Sequence, residues 1–257
     1  MCLLTYLPAG VLPDTDALHN GTSTNRDGHG FAIVAGDQLV IERGMDGEQV
    51  IAAFERARRR HPDGPALFHS RYATHGVTNL DNCHPFEVGR DVRTVVAHNG
   101  ILPASVQPRQ GDPRSDTRLA AEVYLPQIGG LHLRQTRLRL ERWMTPFNKM
   151  VLLTVDRRFK KQGFVLNEAS GIWDDGIWYS NNDYRPLPVP SWLTTARCRI
   201  TPPQWLETVA GLERCPDCGT PVDVVTDVEC LCCGRCFDCD ERPSVCACYT
   251  PPSQRMR

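Results

Sequence analysis

The sequence lacks the features that direct a chain into a membrane or onto a nucleic acid. No stretch approaches the roughly 18 uncharged apolar residues of a membrane span. The apolar start, MCLLTYLPAGVLP, lacks the basic region of a signal peptide and is interrupted by Pro8 and Pro13. With 29 Lys and Arg against 30 Asp and Glu, the net charge of -1 gives no electrostatic reason to expect a nucleic-acid or anionic-membrane partner. We therefore expect a soluble protein of the cytoplasm.

The 12 cysteines are distributed unevenly along the 257 residues. Cys2, Cys83 and Cys198 are isolated, whereas the other nine fall between positions 215 and 248. The length suits one medium domain followed by a small module. A proline-rich segment, YRPLPVPSW, precedes the cysteine-rich region and is typical of an extended linker. We predict a domain over residues 2–190, a linker over 191–213 and a cysteine-rich module over 214–249.

Short runs rich in β-branched and aromatic residues alternate with helical patterns. The strand candidates are CLLTYL, FAIVAG, QLVIERG, PALFHSRY, VRTVVAHNG, KMVLLTVD, GFVLNEA and GIWYSNN. Helices are predicted for GEQVIAAFERARRRH, with a solvated charged face, and for RSDTRLAAEVYLPQI, with Ser115 as the N-cap. Because strands and helices are interspersed and FAIVAG and QLVIERG have the spacing of a hairpin, we predict an α+β fold with mainly antiparallel sheet.

A third helical pattern, LHLRQTRLRLERWM, is rich in arginine. It places Arg134, Arg137, Arg139 and Arg142 within reach of one another. Two interpretations are open, an exposed amphipathic helix and a nucleic-acid site, and the sequence favours the first.

Four stretches carry polar residues where a strand or turn would otherwise have apolar ones: NRDGHGFAI, HSRYATHG, VVAHNGIL and RSDT. Each has a structural interpretation when it is taken singly. Arg71 would form a surface salt bridge, His98 would be a structural histidine, and Asn99-Gly100 would form a type I′ turn. Taken together with Cys2, they form a set that these separate interpretations do not explain.

Cys2 directly follows the initiator methionine, and removal of Met1 would leave a residue with both a thiol and a free α-amine. An α-amine titrates near neutrality, at about 7.7 to 8. It can therefore accept the thiol proton and return it to a leaving group, so such a residue is a nucleophile with its own base.

Over residues 2–185 the motifs occur in the order Cys2, R-D-G-x-G-F, H-S-R-Y-A-T-H-G, N-x-x-N-x-H-P-F, H-N-G-I and S-D-T. This order resembles that of the class II glutamine amidotransferases. These enzymes are N-terminal-nucleophile hydrolases, and the HPF motif resembles that of their stand-alone members. The resemblance implies a four-layer αββα sandwich and hydrolysis of the glutamine side-chain amide to glutamate and ammonia through a Cys2 thioester. About 70 residues follow the domain, too few for a synthase domain, so we expect an acceptor enzyme for the ammonia in trans.

The resemblance also implies a catalytic set. Cys2 is the nucleophile, and the Asn99 side-chain amide and the Gly100 backbone N–H form the oxyanion hole. Glycine suits the last position because its N–H must approach the substrate without a Cβ in the way. Loss of such a donor usually costs about 10²- to 10³-fold in rate.

The implied substrate-binding set recognises the amino-acid end of glutamine. Arg71 can bind the α-carboxylate as a planar fork, and Asp116 can accept from the α-ammonium. Thr74 and His75 are expected to shape the surrounding loop. The same residues would bind the γ-glutamyl part of a larger amide equally well, so such a hydrolase is an alternative. A scaffold protein with a relic amidotransferase fold is another, although the intact set of residues argues against it.

The cysteine-rich module contains two C-x2-C-G turns, each of which presents two thiolates to one metal. We predict two structural zinc ions in a zinc ribbon: one is assigned to Cys215, Cys218, Cys230 and Cys233, and the other to Cys236, Cys239, Cys246 and Cys248. Cys232 is left over and can exchange with Cys236 in these sets. One alternative is a set of disulfides, which the expected cytoplasmic location disfavours. The other is an iron–sulfur cluster, which the spacing of the cysteines disfavours. The module either stabilises its own segment or binds a partner.

Overall fold

The computed structural model describes residues 2–74 and 76–186 and the backbone of 213–214 and 221–222. The chain divides into two compact units, Met1–Pro188 and Val189–Arg257. The predicted boundary at 190 lies outside the described residues, and the one at 213 lies at the edge of a described pair. Both stay predictions.

The first unit contains ten strands and five α-helices within its described residues. In chain order they are β1 (Leu3–Leu7), α1 (Thr15–Thr24), β2 (His29–Ala35), β3 (Gln38–Gly44), α2 (Gly47–Arg60), β4 (Ala66–Ser70), β5 (Phe86–Val88), β6 (Asp91–Asn99), α3 (Asp116–Leu119), α4 (Leu125–Ile128), α5 (Arg134–Met144), β7 (Lys149–Thr154), β8 (Gly163–Leu166), β9 (Ile172–Asp174) and β10 (Ile177–Tyr179). A π-helical turn over Ala120–Tyr124 joins α3 to α4.

The strands form two sheets in which neighbouring strands are antiparallel. The first sheet has the order β3-β2-β4-β1-β10-β9, and the second has the order β5-β6-β7-β8. In the first sheet, β1 lies between β4 and β10, with Leu3 opposite Ser70 and Thr5 opposite Tyr179. The residue before β1, Cys2, is therefore flanked by the ends of β4 and β10.

Alternation along the strands divides the apolar side chains among three core layers. On β2, Phe31 and Ile33 pack with helices α1 and α2, whereas Ala32 and Val34 pack against the second sheet. On β6, Val96 belongs to a third cluster that contains residues of α4 and α5. The layers thus follow the order helices, sheet, sheet, helices. The predicted α+β fold with antiparallel sheets is confirmed.

All eight predicted strands contain a strand of the structure, and all three helical patterns contain helix. Ser115 is the N-cap of α3, where its Oγ accepts from the Arg118 N–H at 3.2 Å. In α5, Arg137 donates to the carbonyls of Leu131 and His132 and lies 4.1 Å from the ring centroid of Phe164. Packing therefore accounts for this arginine. Helix α1 and strands β5 and β9 were not predicted.

The prediction that the charged face of α2 is solvated is wrong for Arg58. This side chain is fully buried, and its guanidinium donates to backbone carbonyls of Pro8, Val11, His61 and Gly64. These carbonyls lie in the loops after β1 and α2, where no strand partner satisfies them. Arg58 therefore fixes the end of β1 that is remote from Cys2.

In the second unit, the described backbone forms two short strands. β11 (Glu213–Arg214) pairs antiparallel with β12 (Pro221–Val222). The eight cysteines assigned to zinc lie outside the described residues. No helix in the described part of the chain is long and apolar enough to cross a membrane.

Candidate active site

The Cys2 side chain lies against the backbone that follows β4. The Tyr72 N–H donates to the Cys2 sulfur at 3.2 Å, and the Tyr72 carbonyl is 3.4 Å from the same sulfur. On the other side, the Asn181 side-chain amide donates to the Cys2 carbonyl at 2.8 Å. These contacts hold the thiol in place, and the residue as a whole is half-buried.

Arg71 follows β4 and lies next to the segment that holds the thiol. Its backbone pairs with the turn before β2, because its N–H donates to the Gly28 carbonyl and its carbonyl accepts from the Asp27 N–H. The side chain is 3% exposed, and it donates to the Val77 carbonyl at 3.1 Å. Asp27 also accepts from the Ala73 N–H at 2.7 Å, which fixes the start of the loop beyond Tyr72.

Of the two residues predicted to shape this loop, Thr74 is exposed and His75 lies outside the described residues.

The Asp116 carboxylate is oriented by backbone N–H groups. Its Oδ2 accepts from Leu102 at 2.8 Å, and its Oδ1 accepts from Thr117 at 2.7 Å. The residue is 7% exposed and is the first of α3, after the N-cap Ser115. Oδ1 also accepts from the Thr117 hydroxyl at 3.3 Å. An ionised carboxylate accepts about four hydrogen bonds, so Oδ2 keeps capacity for a cationic group of a substrate.

Asn99 is the last residue of β6, and Gly100 follows it. The Asn99 side-chain amide donates to Ser180 Oγ at 2.7 Å, and the residue is 2% exposed. Gly100 has a φ of +136°, and a Cβ there would lie 2.2 Å from Asn148 Oδ1. This position therefore requires glycine for its backbone conformation and its contact with Asn148, whatever approaches its N–H.

Among the described side chains, the two predicted to bind the ends of a substrate also place charge near the thiol. Burial raises the pKa of Cys2 above its ordinary value, and the hydrogen bond from the Tyr72 backbone opposes this effect. Arg71 lowers the same pKa, and Asp116 raises it. Both side chains therefore act on the sulfur, with opposite signs. A thiol with a raised pKa is protonated at neutral pH and needs a base before it can attack a carbonyl.

Three buried histidines lie behind the site. His98, on β6, contacts Thr117 Oγ1 at 3.0 Å and Asn148 Oδ1 at 2.9 Å through its two ring nitrogens. The His98 carbonyl is 3.1 Å from His69 Nε2, and the His69 and His84 ring centroids are 3.9 Å apart.

Burial lowers the pKa of His69 to about 3 and lowers those of His84 and His98 as well. The three rings are therefore neutral at pH 7. His69 and His98 support the site by hydrogen bonding, and His84 supports it by packing against His69 and Phe86.

The structure brings the predicted residues together from separate parts of the sequence. Arg71 and Asp116 both act on Cys2, and Asn99 is joined to strand β1 through Ser180, which also accepts from the Leu4 N–H at 2.9 Å. The sequence analysis missed the supporting residues Ser180, Asn181, Asn148 and His69. For Ser180 and Asn181, the signal was the polar end of the predicted strand GIWYSNN.

Within residues 2–74 and 76–186, no group of three or more His, Cys, Asp or Glu side chains is arranged to hold a metal ion.

No family model matches the chain, and no curated protein matches it. Among solved structures it is similar to the glutamine phosphoribosylpyrophosphate amidotransferase of B. subtilis in complex with ADP and GMP, at 18% identity and a TM-score of 0.48. A second similar structure is described as the allosteric regulatory enzyme of purine biosynthesis, at 19% identity and a TM-score of 0.47. Each alignment covers 72% of this chain and 42% of the other.

A third similar structure is a glutamine aminotransferase class-II domain protein from Silicibacter pomeroyi. It is 16% identical, with a TM-score of 0.32, and the alignment covers 60% of this chain and 73% of that one. The chain thus spans about two fifths of the length of the first two structures. Similarity at this level does not define a family for the chain.

Proposed function

We propose that this chain is a class II glutamine amidotransferase, an N-terminal-nucleophile hydrolase that releases ammonia from glutamine. The observation that supports the proposal is geometric: the Cys2 sulfur accepts from the Tyr72 N–H at 3.2 Å, directly beside the buried Arg71. The buried Asp116 carboxylate is near enough to raise the pKa of the thiol. Glutamine carries an α-carboxylate and an α-ammonium at one end and an amide at the other. The site offers one group of suitable charge or reactivity for each of the three.

The reaction begins when the α-amine of Cys2, exposed by removal of Met1, accepts the thiol proton. The sulfur then attacks the side-chain carbonyl carbon of glutamine, and the Asn99 amide and the Gly100 N–H donate to the oxyanion. When the C–N bond breaks, the ammonium of Cys2 returns the proton to the leaving nitrogen as ammonia. Water then hydrolyses the thioester to glutamate and regenerates the thiol. Transfer of the ammonia to an acceptor enzyme in trans stays a prediction.

The test combines an assay with an intact-mass measurement on the full chain. Purified protein is incubated with glutamine, and glutamate and ammonia are quantified. A second sample is treated with a glutamine-mimicking diazo-ketone. We expect equimolar products, and a mass equal to the chain without Met1 plus one ketone adduct. The proposal is wrong if the protein releases no ammonia from glutamine and the diazo-ketone leaves its mass unchanged.

Substitutions in the substrate-binding pair should act on binding. Arg71 and Asp116 hold a part of the substrate that is remote from the bond that breaks, so we expect Arg71→Lys and Asp116→Asn to raise KM. A loss of about 10- to 100-fold in kcat/KM is the expected size for a charge-assisted hydrogen bond. Steady-state kinetics with glutamine measure the effect, and thermal unfolding verifies that each variant folds. An unchanged KM in both variants contradicts the assignment.

A second candidate substrate is a γ-glutamyl amide of a larger molecule. The observation that favours it is the exposure of two apolar side chains next to site residues. Tyr72, which follows Arg71, is 51% exposed, and Ile101, which follows Gly100, is 52% exposed. A glutamine-specific site has no need of such groups, whereas an apolar extension of the substrate would bury them. A higher kcat/KM for γ-glutamyl anilides or peptides than for glutamine would identify this substrate class.

We also propose two structural zinc ions in the second unit, held by the two sets of four cysteines given above. Thiolates are the ligands that structural zinc sites prefer. A supporting observation is that β11 and β12 form an antiparallel pair, and the sequence between them contains Cys215 and Cys218. So short a segment has little apolar surface to bury, and metal binding would supply the free energy of folding.

Elemental analysis of the full chain, purified without added metal, tests the zinc proposal. We expect two zinc ions per chain, and about one after the double substitution of Cys215 and Cys218 by serine. Cys198→Ser is the matched control, because Cys198 belongs to neither set, and it should leave two. Less than half an equivalent of zinc, or iron in its place, contradicts the proposal.

A further inference from the structure

One buried hydroxyl links the strand that follows the nucleophile to the proposed oxyanion donor. Ser180 directly follows β10 and is 1% exposed. Its Oγ accepts from the Leu4 N–H at 2.9 Å and from the Asn99 side-chain amide at 2.7 Å. Leu4 is the second residue of β1, two positions after Cys2. The hydroxyl therefore contacts both sides of the catalytic arrangement.

This linkage crosses from one sheet to the other. Strands β1 and β10 belong to the six-stranded sheet, whereas Asn99 ends β6 of the four-stranded sheet. The Ser180 N–H donates to the Leu4 carbonyl at 2.9 Å, as in an ordinary antiparallel pair. The reciprocal bond from the Leu4 N–H goes to the hydroxyl and not to a backbone carbonyl, which places the hydroxyl where it also meets the amide of Asn99.

We propose that Ser180 is a positioning residue that orients the Asn99 amide toward the Cys2 reaction centre. The inference rests on the function proposed above. An amide nitrogen has two N–H donors, and one of them is given to Ser180. This bond fixes the plane of the amide and leaves the second N–H for the oxyanion. Both acceptor positions of the hydroxyl are filled, so its geometry is set by β1 on one side and β6 on the other.

Asn181, the next residue after Ser180, also supports the catalytic residues. Asn181 donates to the Cys2 carbonyl at 2.8 Å and accepts from the Asp183 N–H at 3.0 Å. The end of β10 thus holds the nucleophile residue and the oxyanion donor at once. A reacting atom displaced by about 1 Å costs on the order of 10²-fold in rate, so a support of this kind is expected to matter for kcat.

A double-mutant cycle with glutamine as substrate tests whether Ser180 acts through Asn99. Ser180→Ala should lower kcat about 10- to 100-fold and change KM by less than about 3-fold, since it disturbs a transition-state contact. Asn99→Ala should lower kcat about 10²- to 10³-fold. In the Asn99→Ala background, Ser180→Ala should change kcat by less than about 2-fold. Fully additive losses overturn the proposal, because the hydroxyl would then act on β1 through Leu4.

Two further variants separate positioning from general stability. Ser180→Thr keeps the hydroxyl and should recover most of the kcat lost in Ser180→Ala. Thr154→Val removes another buried hydroxyl, which bonds Thr94 at 2.9 Å in the four-stranded sheet, and should lower the unfolding temperature with no change in kcat. If Ser180→Ala does not fold, Ser180→Cys takes its place in the cycle, because a thiol of similar shape is a weak acceptor.

Alkylation of Cys2 by iodoacetamide measures the reactivity of the thiol in a reaction that forms no oxyanion. Its rate in Ser180→Ala should stay within about 2-fold of the original rate, because the thiol and its base are untouched. An equal loss of alkylation and hydrolysis overturns the positioning role. Failure of the unaltered chain to hydrolyse γ-glutamyl amides overturns the proposed function and this inference with it. Wild-type kcat in Ser180→Ala, with an active unaltered chain, overturns this inference alone.

Discussion

We expect Cys2→Ala to abolish the proposed glutamine hydrolysis and to leave the first unit folded. The thiol is the atom that bonds to substrate, and loss of a catalytic nucleophile costs on the order of 10⁴-fold or more. The cost in stability should be small, because Cys2 is half-buried. Within the described residues, the sulfur forms hydrogen bonds with the backbone of Tyr72 alone. Ammonia release and the thermal unfolding midpoint measure the two effects.

The matched control is Cys83→Ala, which removes the other cysteine of the described part of the first unit. Cys83 is fully buried, with its sulfur 3.6 Å from Met45 Sδ. Its loss leaves a small cavity and should cost about 1 kcal/mol of stability with no change in kcat. Full-rate hydrolysis by protein that is shown by mass to retain Met1 would contradict the N-terminal-nucleophile mechanism, whatever Cys2→Ala does.

The sequence was sufficient to predict the strands because most of them are buried. Strands such as β1, β4 and β7 are short apolar runs with polar boundaries, and the pattern is strong even without tertiary information. Helix α1 was missed because TDALHNGTST has little helical periodicity. It is stabilised by the Asp14 N-cap, which accepts from Ala17 at 3.0 Å, and by the burial of Leu18.

The candidate site was predicted because its residues are polar in places where apolar residues are expected. Arg71 follows β4, Asn99 ends β6 and Asp116 begins α3, so all three stand at the ends of elements. Among the supporting residues, Ser180 and Asn181 carry only the signal of a polar strand end, which does not indicate the residues that they contact. The bond from Asn99 to Ser180 joins positions 81 residues apart, so nothing near either residue in the sequence indicates it. Contacts of this kind follow from how the two sheets stack.

We expect the free energy of unfolding of the first unit to fall by at least about 2 kcal/mol when the pH is lowered from 7.5 to 5. Burial lowers the pKa of His69 to about 3, and it also lowers the pKa values of His29, His84 and His98. In the unfolded chain, histidine titrates near 6.5. Between the two values the unfolded state binds more protons than the folded state, so stability is present above pH 6.5 and is lost as the pH falls.

The size of the loss in free energy of unfolding can be calculated for His69. A pKa of about 3 in the folded state and about 6.5 in the unfolded state gives a loss of about 2 kcal/mol between pH 7.5 and pH 5. The other buried histidines contribute in the same direction. The carboxylates whose pKa is held lowest, Asp112 and Asp156 at about 2, lose their contribution only at more acidic pH. The window from pH 7.5 to pH 5 therefore reports mainly on histidine.

Denaturant unfolding at several pH values, followed by tryptophan fluorescence, to which the buried Trp178 contributes, measures this loss. His69→Leu should reduce the difference between pH 7.5 and pH 5 by about 2 kcal/mol, whatever it does to stability at either pH. Phe68→Leu, on the same strand, is the matched control and should lower stability equally at both. Stability is the required readout, because protonation of the Cys2 α-amine lowers activity over part of the same range. A free energy of unfolding that is constant from pH 7.5 to pH 5 would mean that these histidines accept protons in the folded state.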